Sequence, residues 1–218
     1  MKKIIIIFIS LVVFSCKSPN QNLDKIEVIV NNEDKTLNSE IEKGFIEIVQ
    51  NVYPKLMHDF NPEARRNITI KIDTSYNGVA FANKGQITVS SAWMHSKPED
   101  LDLMTHEIMH IIQAYPNGSG PGWLTEGIAD YVREKYGIDN AGAGWSMTPF
   151  SPSQHYTNSY RIAARFLTWL SQKYDSDIVY KLDKNLRDKT YSPRLWKEYT
   201  GENLNELWDI YTRDPKLM

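Results

Sequence analysis

Two histidines four residues apart, His106 and His110, constrain this 218-residue chain more than any other feature. Side chains at i and i+4 lie on one helical face, one turn from each other, so both imidazoles can reach a single point. Glu107 completes the pattern H-E-x-x-H and stands beside the pair, where it can take a proton from a water held at that point. Imidazoles of this kind suit a divalent ion, zinc above all. Zinc takes four ligands, and a centre that does chemistry uses three protein groups and leaves the fourth position open. The segment is therefore expected to be a helix that meets a second element carrying a third ligand.

Glu126-Gly127-Ile128-Ala129-Asp130 begins sixteen residues after His110 and offers that element. Glu126 is the candidate third ligand, for one Zn2+ per chain. Asp130, four residues on, shares its helical face and is placed to accept the outer N–H of a ligating imidazole, His106 first. The alternative is a solvated helix face, the usual fate of charged side chains. Helical phase favours the metal reading. Met104, Ile108, Ile111 and Tyr115 form an apolar stripe with His106 and His110 roughly opposite. Leu124, Ile128, Tyr131 and Val132 form another, with Glu126 and Asp130 opposite. Buried together, these polar groups are coherent only around an ion or solvent.

Residues 1–16 read as a leader: Lys2 and Lys3, an apolar run from Ile4 to Phe14 too short to span a bilayer comfortably, then Ser15-Cys16. The end of the run resembles the lipobox of bacterial lipoproteins, which implies cleavage before Cys16 and lipid attachment to its thiol. An ordinary signal peptide or an uncleaved anchor are the alternatives. Cys16 is the only cysteine, so no disulfide forms within the chain. Lys17 follows Cys16 where inner-membrane retention favours Asp, so the expected location is the bacterial envelope, at the outer membrane or surface. Residues 17–24 are a tether, and 25–213 one domain, large enough for one core.

The net charge is −2, and losing Lys2 and Lys3 makes it two units more negative, which points away from nucleic acid as a partner. A peptide or protein substrate is expected, and a monomer. Strands are predicted at 25–30, 67–73, 79–81 and 86–90, the last two joined by a turn at Asn83-Lys84-Gly85, and the 86–91 stretch is expected to edge the cleft. A helix starts at Asn38-Ser39 and ends near Pro54 or Phe60. The active-site helix is expected from Lys97 to about Tyr115 and the third-ligand helix from Trp123 to Gly137. Helices follow at about 158–173, 175–187, 192–199 and 203–212. The fold class is α+β, with a small, mostly antiparallel N-terminal sheet and a helical C-terminal half.

Residues 138–157 lack periodicity and are either a cleft wall or a packed surface loop. Near them stand two candidate donors to a tetrahedral oxyanion, Tyr160 first and His155 second, although Tyr160 reads equally as a buried helix aromatic. Arg165 is either a surface charge or a partner for Asp130. His58 and His95 stand alone and read as surface or structural groups.

Several segments together resemble one family, the basic secretory proteins of plants and bacteria. They are the H-E-x-x-H-x-x-Q run from His106 to Gln113, Pro121 to Arg133, Tyr160 to Leu167, and Leu207 to Tyr211. The likeness covers roughly residues 25–213. It implies a zincin-like, gluzincin-type metallopeptidase domain, with His106, His110 and Glu126 as ligands and Glu107 as general base. Trp123 stands where plant members often have a small residue and is expected to reshape a pocket wall. Two other functions stay open: an envelope-anchored zinc-binding protein without turnover, and a zinc hydrolase of another amide bond.

Overall fold

The computed structural model describes residues 25–218; the leader, Cys16 and the tether at 17–24 lie outside the described residues. Strand β1 (Glu27–Asn32) leads into helix α1 (Ser39–Asp59), which returns the chain to β2 (Asn67–Asp73). The Asn38 side chain accepts the Glu40 N–H at 3.0 Å and so caps α1. Pro54 does not end the helix. Tyr53, Leu56 and Met57 are buried around and beyond it, and their burial outweighs the hydrogen bond that proline removes.

Strands β3 (Ala80–Asn83) and β4 (Gln86–Ser90) form a hairpin across Lys84 and Gly85. Both turn residues have positive φ, 49° and 87°, as the tight hairpin turn requires. The sheet order is β1-β2-β4-β3. β1 and β2 run parallel, as do β2 and β4, and only β3 and β4 are antiparallel. This corrects the expectation of a mostly antiparallel sheet. A helical crossover brings β2 back in the direction of β1. β3 then runs out to the edge, so β4 inserts beside β2 pointing the same way. Neither step leaves a mark in the apolar alternation of the strands. The edge strands are accordingly β1 and β3, of which β3 lines the cleft, and β4, expected at the edge, is central.

Helix α2 (Ser91–Ser96) follows β4 directly, and α3 (Leu103–Gln113) starts later than Lys97. The intervening acidic residues do other work. Asp102 accepts the backbone N–H groups of Ile138 and Asp139 and the Thr105 hydroxyl, tying the end of the next helix to the start of α3. That next helix is α4 (Gly122–Tyr136). A short 3-10 turn (Tyr156–Asn158) precedes α5 (Tyr160–Lys173), and α6 (Ile178–Arg187), α7 (Arg194–Thr200) and α8 (Leu204–Arg213) complete the chain. No helix among the described residues is long and apolar enough to cross a membrane.

The core runs from α1 and the inner sheet face (Phe45, Ile70, Val89) through α3 and α4 to Phe166, Trp196 and Tyr211. Every residue of α3 except His110 is buried, so its polar face is an interior surface, turned toward α4. α4 in turn packs closely on α5. A Cβ on Gly127 would lie 2.7 Å from the Ala163 Cβ, so only glycine allows this approach. Arg165 turns away from the centre and donates to the Pro215 carbonyl at 3.0 Å, which corrects its suggested pairing with Asp130.

Candidate metal centre

Helices α3 and α4 meet along their polar faces. On α3, the rings of His106 and His110 stand nearly perpendicular with centroids 4.8 Å apart. The Nδ1 of His106 lies 2.7 Å from Asp130 Oδ1, and that of His110 lies 2.8 Å from Gln113 Oε1. A carboxylate and an amide oxygen can only accept, so both Nδ1 atoms carry the proton and both Nε2 atoms of neutral rings present lone pairs. These two Nε2 atoms face each other at 3.1 Å, with Glu126 Oε2 at 3.3 Å and 3.4 Å from them.

Three acceptors therefore converge with no donor among them, which is stable only if a cation lies between. The dimensions fit one. Ligands about 2.0–2.1 Å from a tetrahedral zinc lie about 3.3 Å apart, close to the observed separations. His106, His110 and Glu126 are the one metal-capable group of His, Cys, Asp and Glu among the described residues. Without a metal, a proton takes its place. Burial works against a charge on His106, but its bonds to Asp130 and Glu126 prevail and push its pKa up to about 10. Burial likewise works to raise Glu126, but contacts with His106 and His110 outweigh it and hold the carboxyl well below its usual range. Glu107 is different. Burial pushes its carboxyl up, and its Oε2 is buried with no hydrogen-bond partner among the described residues.

A sequence profile of the BSP family, described as peptidases of plants and bacteria, matches residues 26–211. The chain belongs to that family. Comparison with curated proteins and with solved structures returns no match. The family resemblance drawn from the spaced segments of the sequence is thus borne out over nearly the same span.

In this BSP-family chain the centre opens into a cleft of about 900 Å3, lined by Tyr76, β3, Trp145 and Tyr160 among others. Tyr160 is 54% exposed rather than a core aromatic, and its ring lies nearly parallel to His106 at 6.2 Å. Ser159 and Tyr160 open α5 with φ of 66° and 47°, two successive left-handed values at non-glycine residues. Such strain gathers where a side chain must be held at a site. His155 is not among the cleft-lining residues. It caps the 3-10 turn through Thr157 and packs on Tyr156 and Trp208, so Tyr160 is the donor candidate that the structure brings to the centre.

The 138–157 segment divides in the same way: Trp145 lines the cleft, whereas Phe150 packs on Trp208 and Tyr211. Trp123 packs against Tyr156 and Trp196 and does not shape the cleft wall. His58 and His95 are exposed and pair with Asp59 and Asp34. Gln113 received no role from the sequence. Its amide nitrogen donates to the Thr125 carbonyl at 2.9 Å while its oxygen holds His110, so it links the second histidine to the turn that presents Glu126. Its spacing of three from His110, on the same helical face, was the available signal.

Proposed function

We propose that the chain is a zinc-dependent peptidase with a zincin-like catalytic domain, in which His106, His110 and Glu126 hold one zinc ion. The observation that carries this reading is the convergence of two imidazole nitrogens and a carboxylate oxygen at separations that fit a tetrahedral ion, beside a buried, unpartnered carboxylate in an open cleft. A bound zinc ion supplies Lewis acidity, which polarises a carbonyl and makes water easier to deprotonate. Glu107 takes the proton of the attacking water and passes it to the leaving amine, a role that its buried, unpartnered Oε2 leaves it free to play. Asp130 and Gln113 orient the two imidazoles. The Tyr160 hydroxyl donates to the oxyanion. The unpaired edge of β3, which lines the cleft, offers backbone groups to an extended peptide. Lipidation at Cys16 places this domain at the bacterial envelope, an assignment supported by the residues before that cysteine.

The decisive experiment measures metal content and peptide hydrolysis together. Wild-type protein is expected to carry about one zinc per chain and to cleave a peptide library. Glu126→Ala is expected to lose the metal. A wild type that binds no metal, or a Glu126→Ala protein that retains it fully, overturns the ligand set. Zinc binding without cleavage of any peptide would favour a binding protein or a hydrolase of another amide bond.

A further inference from the structure

The charged side chains of the cleft, apart from the histidines, are Asp100, Glu107, Glu126, Asp130, Arg133 and Arg161. Most are engaged with one another or with the centre. Arg133 is buried against Asp100 and lies over the Trp145 ring at 4.6 Å. Asp130 holds His106, and Glu126 faces both ligand histidines. Arg161 stands apart. It is exposed, and its one polar contact among the described residues is a long hydrogen bond, 3.5 Å, to the Ser146 carbonyl. No carboxylate among the described residues pairs with it.

Its position gives that free charge a use. Arg161 directly follows Tyr160, whose ring lies over His106, and its guanidinium reaches the segment that carries Trp145. The cation therefore lies on the cleft wall beside the centre, not on a remote surface. A guanidinium presents a planar fork of donors that matches a carboxylate, and a cleft with low-dielectric walls strengthens the attraction. Asp130 and Glu126 are engaged by the histidines, Asp100 by Arg133, and Glu107 is buried, so none of the cleft acids forms an ion pair with Arg161.

We infer that Arg161 is a specificity residue of this cleft and that the preferred substrate carries a carboxylate on the Tyr160 and Trp145 side of the centre. The carboxylate is either an acidic side chain or a free C-terminus. The inference rests on the peptidase reading and narrows its substrate class.

The test uses zinc-loaded protein and matched peptides. One pair differs as glutamate against glutamine beside the scissile bond, with the C-terminus amidated. A second pair differs as free against amidated C-terminus, with neutral side chains. The readout is the ratio of kcat/KM within each pair, which cancels differences in folding or metal loading. Wild type is expected to favour the carboxylate about tenfold in one pair, and that pair identifies its source. Arg161→Gln is expected to bring the ratio close to one, and Arg161→Glu to invert it toward the uncharged member of the pair. A wild-type ratio near one in both pairs, or a ratio that survives Arg161→Gln, overturns the inference. If the loaded wild type cleaves no peptide, the peptidase reading fails separately. Fluorescence anisotropy with labelled versions of the same pairs then decides. An affinity ratio lost in Arg161→Gln keeps the role of Arg161, and equal affinities end it.

Discussion

Two charged clusters lie along α4, and both face the same cleft. In one, Arg133 is buried against Asp100. Trp93 Nε1 donates to the same carboxylate at 3.0 Å, and Asn140 Oδ1 accepts from Arg133 Nε at 3.0 Å. Each charge has its complement within the protein. In the other, two lone-pair nitrogens and the Glu126 carboxylate face one another and Glu107 is left without a partner. Burial of charge is common to both, so burial alone does not mark a functional centre. The difference is compensation: the first cluster is closed, and the second is complete only when a cation is added.

Glu107→Gln breaks that contrast most sharply. It is expected to lower peptide hydrolysis by about 10^2- to 10^4-fold while zinc stays bound, read by turnover and metal content on one preparation. Undiminished cleavage with zinc in place would falsify the role of Glu107. Next come the two truncations that treat the clusters alike. Arg133→Ala strands the buried Asp100 and is expected to cost about 3–5 kcal/mol in denaturant unfolding, yet to leave the three ligands in place. Glu126→Ala is expected to act the other way. It abolishes the stabilisation that wild type gains from zinc, about 2.7 kcal/mol at a free concentration one hundred times Kd. If Arg133→Ala removes the metal as readily as Glu126→Ala, the two clusters are one.

Smaller effects sharpen the comparison. Asp130→Asn and Gln113→Ala are each expected to weaken zinc binding by about 10- to 100-fold in chelator competition, without changing its stoichiometry. Unchanged affinity in both would mean that the imidazoles need no outer support. The smallest effect concerns pH in the zinc-free protein. Burial, opposed by His106 and His110, holds the folded Glu107 carboxyl above its ordinary value of 4.5. The stability it contributes is present below that value and is lost as pH rises through the raised one. Zinc-free Glu107→Gln is therefore expected to gain stability relative to wild type as pH goes from about 4 to neutrality. A difference that stays constant across that range would show that Glu107 is not perturbed.

The helices and much of the centre were legible in the chain because they rest on local geometry. An i, i+4 pair shares a face wherever it is helical, and Asn38 caps α1 with its own side chain. What was misread depended on partners distant in sequence. The sequence ranks Tyr160 before His155, but only packing separates them: Trp208 and Tyr156 claim the His155 ring, while Tyr160 lines the cleft. Gln113 is an ordinary helix glutamine until Thr125 is beside it.

From its sequence alone, then, this protein already determined a helix with two imidazoles on one turn and a second helix with two carboxylates on one face, since hydrogen bonds between near neighbours set that period. Tertiary structure decided the rest: the strand directions, the edge given to β3, and the convergence of Glu126 on two nitrogens of another helix. It did so because crossovers and close packing, such as Gly127 against Ala163, fix how elements meet, and no local pattern carries that information.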